Sequence, residues 1–496
     1  MSVQRHSSAS NRRNPLSQPT IGAARHYAEI MAWQRTQTQF FALPASAIWE
    51  VLKDPARVPQ WNHAIAQLKP QAYPVADGTK LELIPAGEPI GTIHAKTAPP
   101  ATVTKIENEQ SLTWVQQQPG GHLLVRWSLE QVTGGTLLTQ HVSVSGLVSV
   151  LFAQTAAKPI AAHFAQNCAR LYTLAGGIET QNLRMVIAGG NGFLGSRAAA
   201  DLHCRGHHVT VLTRNERPNS PYRQLHWDGK SQGPWASALY THGKDTAVLN
   251  LAGQLVDLPA TAANIARLTS SRVDSTRALV DASARLPKPL AAFLQASTTA
   301  IYADAHESRL TEDSPLPTGA AALPQMTGVA QPWEQAVDGV KAHHVNILRT
   351  SLVFEQESPL VDRLSLLAQV GLGGPVAGGQ QWVSWIHLAD WLRIIRTCLG
   401  LEPGTTIPAG VINLAAPHPV RNKEMMELLR SRLAPGPLKR FSLPTPKPIL
   451  NAGAVLLRTD PALGLTGRHV TSRVLADAGF SFEHPEFADA LRVIFD

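Results

Sequence analysis

The sequence predicts an α/β chain whose second half forms a doubly wound parallel sheet, preceded by a separate α+β domain. Three observations carry this. Residues 184–195, RMVIAGGNGFLG, run an apolar strand into a glycine-rich turn, and SRAAADLHCRGHHVTVLTR continues as a helix and a second strand, one βαβ unit. Apolar strands recur at 246–253 (TAVLNLAG), 290–302 (LAAFLQASTTAIY) and 345–354 (VNILRTSLVF), separated by helical stretches. That alternation implies parallel pairing through right-handed crossovers. Residues 36–177 show strand-like alternation closed by one long helix instead. With 496 residues and 44% hydrophobic content, the chain is long enough for two or three cores.

In order along the chain, residues 1–35 are rich in Ser, Asn, Arg and Pro and read as a disordered basic tail. TQTQFFAL alternates as a strand, and PASAIWEVLKDPARVPQW reads as a short helix and a turn. SLTWVQQQ, LLVRWSLEQV and TLLTQHVSVSGL are further strands. The closing helix repeats Phe152, Ala156, Ile160, Phe164 and Cys168 every fourth residue and continues through Leu171 and Tyr172, so one face must be buried. Pro159 is expected to bend it. GIETQNL links to the second domain, 183–496, whose part beyond 355 has Pro- and Gly-rich turns and shorter helices suited to a substrate-side lobe, with 440–496 a small C-terminal subdomain.

The formal charge of +8 is concentrated in the tail, where Arg5, Arg12, Arg13, Arg25 and Arg35 face one acid, Glu29. No basic run with interleaved aromatics follows, so no nucleic-acid partner is expected. The three cysteines, Cys168, Cys204 and Cys398, lie far apart without metal-type spacing and read as small buried residues in a reducing compartment. No apolar stretch reaches about 18 residues and no signal core follows the tail, so no membrane span is expected and the cytoplasm is the default location.

The glycines point to a ligand. Both Gly190-x-Gly192-x-x-Gly195 and Gly189-x-x-Gly192-x-x-Gly195 fit a dinucleotide turn, in which pyrophosphate lies at a helix N-terminus among unpaired N–H groups. Gly189, Gly190, Asn191, Gly192, Phe193, Leu194 and Gly195 are the candidate contacts. At the end of the second strand a NAD site places a carboxylate, whereas VTVLTRN puts Arg214 there after Thr213. A guanidinium pairs with a 2′-phosphate, so NADP(H) is preferred over NAD(H), with a merely solvated arginine as the alternative.

The order strand, helix with Asp54-Pro55 and Trp61, antiparallel strands and long closing helix resembles the START/Bet v 1-like (SRPBCC, polyketide cyclase type) superfamily. The resemblance implies a helix-grip fold around an apolar cavity, hence a hydrophobic ligand. Alternatively Trp49, Trp61, Trp114 and Trp127 simply fill the core.

In the second domain, GGNGFLG, NLAG at 250–253, SRVDSTRALV at 271–280, GLGGPVAGGQQWVSWIHLAD at 371–390, APHPVRN at 416–422 and GFSFEHPEFADAL at 479–491 resemble the epimerase-like, atypical short-chain dehydrogenase/reductases with a C-terminal domain of unknown function. That implies an extended Rossmann-type NAD(P)-binding fold. By the same resemblance Ala252 and Gly253 lie beside the cofactor, with close strand packing as the alternative.

Ordinary members use a Tyr activated by a Lys four residues on, with a Ser about a dozen residues earlier. Ser297 stands at the expected strand end as a substrate- or nicotinamide-side group. The dyad is absent: Ala330 and Glu334 occupy its two positions in AQPWE, and Tyr302, followed four residues later by His306, is either catalytic in another geometry or a packing residue. WIHLAD offers His387 as an acid/base, or His387 and Asp390 as a hydrogen-bonded pair anchoring a helix start. Gly371, Gly373, Gly374, Gly378 and Gly379 read as a lid-like loop. Two functions follow: an NADP(H)-dependent oxidoreductase or epimerase-like enzyme acting on a small molecule, or a non-catalytic NADP(H)-binding sensor or scaffold.

Overall fold

The structure, a computed structural model, describes residues 31–87, 99–118, 121–146, 153–240, 245–256, 258–434, 436–439 and 462–495. The tail up to residue 30, Phe152 and the whole 440–461 segment lie outside the described residues.

The first domain is a seven-stranded antiparallel sheet: β1 (Met31–Phe41), β2 (Ile65–Pro70), β3 (Lys80–Pro85), β4 (Ala101–Glu107), β5 (Ser111–Gln118), β6 (Gly121–Val132) and β7 (Gly135–Gly146), in spatial order β1-β7-β6-β5-β4-β3-β2. Helix α1 (Ala45–Leu52) follows β1, and α2 (Lys158–Ala161) and α3 (Phe164–Leu174) close the sheet. One core joins the two layers, from Leu123 and Val125 on β6 to Ile160, Cys168, Leu171 and Tyr172 on the closing helices.

Two expectations need correction. The first strand opens at Met31, so Arg35 belongs to the fold and is buried, because its partner is a carboxylate 322 residues away that no local pattern reveals. The closing segment is not one helix bent at Pro159: a π-helical turn, Ala153–Ala157, runs directly into α2, which holds Pro159. The segment breaks after α2: Ala162 is extended and His163 takes φ +56°.

The second domain is a seven-stranded parallel sheet. Its strands are β8 (Arg184–Ala188), β9 (His208–Thr213), β10 (Arg223–His226), β11 (Thr246–Asn250), β12 (Leu290–Thr298), β13 (Ala342–Thr350) and, after a lobe, β17 (Gly410–Leu414), in order β10-β9-β8-β11-β12-β13-β17. This is the doubly wound arrangement with its switch point between β8 and β11. Helices α4 (Phe193–Cys204), α5 (Ala262–Ala284) and α6 (Thr327–Gln335) make the crossovers. All five residues of β11 are buried, as covering both faces of a parallel strand demands. The run at 345–354 is not one strand: Ser351 separates β13 from β14 (Leu352–Phe354), which pairs with β16 (Trp385–His387) in a separate two-stranded sheet.

The lobe is built from α7 (Pro359–Gln369), β15 (Trp382–Val383), α8 (Leu388–Cys398), β18 (Val420–Arg421) paired with β15, α9 (Asn422–Leu433), α10 (Ala462–Leu465), α11 (Arg473–Asp477) and α12 (Phe487–Phe495). Its core gathers Phe354, Trp385, Met425, Leu429, Phe487 and Leu491.

Helix α4 faces both domains. Ala198, Ala199 and Leu202 join the core of the parallel sheet, while Ala200 and Cys204 join the core of the first domain. The Ala42 N–H donates to the Cys204 carbonyl across the junction (2.7 Å). No described helix is long and apolar enough to cross a membrane.

Candidate functional site

The turn from β8 into α4 is shaped by two demands on backbone space. Gly189 takes φ +78°, and a Cβ there would lie 2.8 Å from the Leu251 carbonyl oxygen at the end of β11. A Cβ on Gly195 would lie 2.3 Å from the Gly189 carbonyl oxygen, so only glycine lets the helix start this close to the strand. Gly192 is the N-cap and no side chain caps the helix. The first-turn amides therefore stay available for an anion, which the macrodipole also favours. This cradle fits a pyrophosphate.

Around it, the Asn191 side chain donates to Thr213 Oγ1 (2.8 Å) and to the Asn215 carbonyl (3.2 Å), tying the loop to the end of β9. Asn191 thus holds the loop. Arg214 is exposed there. Sequence reasoning missed Arg217, whose Nη2 donates to the Asn191 carbonyl (3.3 Å) and so sits at the loop itself. The signal was present as a second arginine three residues on. Across the cleft, Asn250 is buried, donating to Thr276 Oγ1 (3.1 Å) and Gln295 Oε1 (2.9 Å) and accepting from the Ala252 N–H (3.1 Å). That fixes Ala252. A Cβ on Gly253 would meet the Arg272 side chain at 3.2 Å. Arg272 is a buried cation whose Nη atoms donate to two carbonyls, with its guanidinium 5.0 Å from the Trp333 ring centre, and burial lowers its pKa to about 10.

Beyond β12, Ser297, Glu334, Arg349, Tyr302 and Asn413 form one buried polar chain. Ser297 Oγ donates to Glu334 Oε1 at 2.5 Å, and Arg349 grips the same carboxylate through Nε and Nη2 at 2.9 and 2.8 Å. Arg349 Nη1 donates to the Tyr302 hydroxyl (2.7 Å), which donates to Asn413 Oδ1 (3.0 Å). Tyr302 is 1% exposed, and burial pushes its pKa above the ordinary value although Arg349 opposes this. Its phenol is therefore engaged within a buried hydrogen-bonded chain. Ala330 offers no hydroxyl.

His387 and Asp390 do not bond each other, which corrects the pair expected from WIHLAD. His387 Nδ1 accepts from the Ala389 N–H (3.2 Å) and caps α8. Asp390 accepts from the N–H groups of Glu483 (2.7 Å) and His484 (3.0 Å). Burial and then the nearby His484 lower the His387 pKa to about 3, so it is neutral at physiological pH. The loop at 371–379 is fastened to α9: Arg430 donates to the Gly373 carbonyl (2.6 Å), Val376 N–H to Asn422 Oδ1 (2.9 Å) and Lys423 N–H to the Gly379 carbonyl (3.0 Å). Beside it lies a crevice of about 290 Å³ lined by Asp304, His306, Glu307, Gln381, Trp382 and Arg421 among others. Trp382 stacks on His469 (4.1 Å between centroids) and carries the Arg421 guanidinium 4.0 Å from its ring centre.

In the first domain Trp49, Trp61, Trp114 and Trp127 are at most 3% exposed and fill the core. Trp61 and Trp114 both contact Trp127, at 5.6 and 6.4 Å between centroids. Among the described residues the indole N–H groups of Trp61, Trp114 and Trp127 find no acceptor.

Comparison with known proteins agrees with this division. Residues 32–175 match the family model "Polyketide cyclase / dehydrase and lipid transport", residues 185–323 "NAD dependent epimerase/dehydratase family", and residues 445–494 a domain of unknown function, DUF1731. The chain is 28% identical over 320 residues to the epimerase family protein SDR39U1 of Bos taurus, covering 63% of this chain and 99% of that protein. It is 26% identical over 313 residues to the epimerase family protein YfhF of Bacillus subtilis, covering 62% and 97%. Human SDR39U1, solved with NADPH, superposes with a TM-score of 0.51 at 25% identity over 63% of this chain and 98% of that one. A nucleoside-diphosphate sugar epimerase from Corynebacterium glutamicum shares the fold over 92% of this chain and 89% of its own, with a TM-score of 0.53 at 22% identity. The chain thus carries, in order, a polyketide cyclase-type domain, a Rossmann-type domain of the NAD dependent epimerase/dehydratase family, and a C-terminal DUF1731 domain.

Proposed function

We propose that the second domain binds NADP(H) and works as an oxidoreductase or epimerase-like enzyme on a small organic substrate. The observation that carries this is the turn between Gly189 and Gly195, where glycine lets the helix start against the strand and the first-turn amides are left without a side-chain cap. The solved human relative with NADPH supports the same coenzyme. Arg217 at the loop and the exposed Arg214 supply the cations for a 2′-phosphate, while Ala252 and Gly253 leave room on the opposite wall. When bound, NADP(H) supplies or accepts hydride.

The protein's own contribution to proton movement centres on Ser297. Its hydroxyl proton is directed at Glu334, so the Oγ lone pairs are free to accept from a substrate hydroxyl. The bidentate Arg349 keeps that carboxylate in place. Tyr302 is assigned to holding Arg349 and Asn413 together. The substrate lies toward the Trp382–Arg421 crevice, and the first domain takes an apolar ligand, as its family match supports.

A second reading rests on one observation: Ala330 and Glu334 stand where a Tyr/Lys pair is expected, so the coenzyme is a bound signal and the protein a sensor or scaffold. Purified protein loaded with NADPH separates the two. Loss of nicotinamide absorbance with members of a panel of carbonyl compounds supports the enzyme; persistent absorbance across the panel, with binding intact, supports the sensor.

A further inference from the structure

Helix α4 connects the coenzyme cradle to the first domain through a single carboxylate. Arg197, one turn into the helix, carries its guanidinium 4.5 Å from the ring centre of Phe193, a residue of the glycine loop. Its Nη2 also pairs with Glu357 Oε2. The other oxygen of Glu357 accepts from Arg35 Nη1 on β1 (3.0 Å) and from the main-chain N–H of His163 (3.1 Å), at the break between α2 and α3. One acid therefore takes a cation from each domain and a main-chain donor from the helix that closes the first.

The surroundings hold this knot under constraint. Glu357 adopts φ +64° and His163 φ +56°, left-handed conformations that non-glycine residues keep only where the environment over-determines them. Glu357 is secured by its own N–H donating to Asp362 Oδ1 (3.2 Å). The Arg35 side chain is 5% exposed and that of Arg197 12%, so removing the shared anion would leave two buried cations on opposite sides of the junction. Burial alone would raise the Glu357 pKa, but Arg35 and Arg197 outweigh it and keep the carboxyl charged.

We propose that Glu357 is a positioning residue for the coenzyme loop, through which β1 and the helix break of the first domain set NADP(H) affinity. This rests on the coenzyme reading above. Arg35 pulls on Glu357, Glu357 fixes Arg197, and Arg197 seats Phe193 beside the pyrophosphate cradle. Coupling is reciprocal, so bound NADPH must in turn steady β1.

The test compares the full-length wild type with Arg35→Gln, Arg35→Lys and Glu357→Gln, all at a temperature where melting curves show folded protein. NADPH affinity is titrated by fluorescence, and hydrogen exchange of the β1 amides is followed with and without NADPH. Arg35→Gln and Glu357→Gln are expected to weaken NADPH about tenfold, with Arg35→Lys close to wild type. NADPH should slow β1 exchange in the wild type and not in Arg35→Gln. A folded Arg35→Gln with wild-type affinity and wild-type protection overturns the proposal alone. Should Glu357→Gln fail to fold, the two Arg35 variants, which leave the Arg197 pair in place, decide it. A wild type that binds no NADPH overturns the coenzyme reading, and this proposal with it.

Discussion

The residue that separates NADP(H) from NAD(H) is expected to be an arginine in the loop after β9. Arg217 touches the glycine loop through the Asn191 carbonyl, whereas Arg214 is exposed. Replacing Arg217 with Ala should weaken NADPH about tenfold and NADH less than about twofold, because a charge-assisted contact to a phosphate contributes on the order of 1.5–3 kcal/mol. Parallel titrations with both coenzymes check this, and equal losses would remove Arg217 from 2′-phosphate recognition. Tyr302 makes the opposite point. Tyr302→Phe leaves Arg349 Nη1 and Asn413 Oδ1 each without a partner, so a loss of about 1–3 kcal/mol in stability is expected, with turnover unchanged once a substrate is in hand. A turnover collapse in a stable variant would restore Tyr302 to the chemistry. The departure from Tyr and Lys at Ala330 and Glu334 is legible in the spacing, but the use of Glu334 by Ser297 and Arg349 is not, since those contacts span 37 and 15 residues.

Among the elements, the strand–turn–helix at β8 and α4 was the most legible because its rules are local: a buried strand, a glycine where φ is positive, a glycine where helix meets strand. Both glycine registers meet a constraint on space. Gly189 carries the positive φ, and a Cβ on Gly190 would lie 2.7 Å from Val211. Gly195→Ala would place its methyl 2.3 Å from a carbonyl oxygen, a backbone clash that no rotamer relieves. Loss of measurable NADPH binding with a melting temperature lowered by several degrees is expected, roughly 2 kcal/mol or more. Normal binding by the variant would mean the turn is not the cradle. Elements whose limits depend on distant partners were misread. Pro159 lies where a π-helical turn passes into α2, and the outright break at Ala162–His163 carries no breaker residue. The strand through Arg35 was lost for the same reason: five residues of β1 look like tail until their ladder to β7 is drawn.

For the whole molecule, buried histidines make stability depend on pH, among them His387 in the lobe and a cluster at the junction between the domains. His203 on α4 is buried edge-on to Tyr172 (5.3 Å) and Tyr222 (5.4 Å), and its Nε2 lies 3.0 Å from Thr173 Oγ1 on α3. Burial, then the neighbouring His208, lowers its pKa to about 4 from 6.5, and burial likewise lowers those of His207 and His208. A base whose folded pKa is depressed takes up a proton on unfolding once the pH drops below 6.5. Its contribution is therefore complete above that value and declines as pH falls from 6.5 toward about 4. For His203 alone this amounts to roughly 3 kcal/mol by the lower limit. Asp201 and Glu357, whose pKa values are held below the ordinary carboxylate range, lose their contributions only at still lower pH. Glu355 and Asp390, raised by burial, are relieved by acid and act in the opposite sense. His203→Phe keeps a ring between the two tyrosines while removing the proton site. The urea midpoint of the wild type should fall between pH 7 and pH 5 by clearly more than that of His203→Phe, and identical slopes in the two proteins would mean that the junction is not what acid loosens.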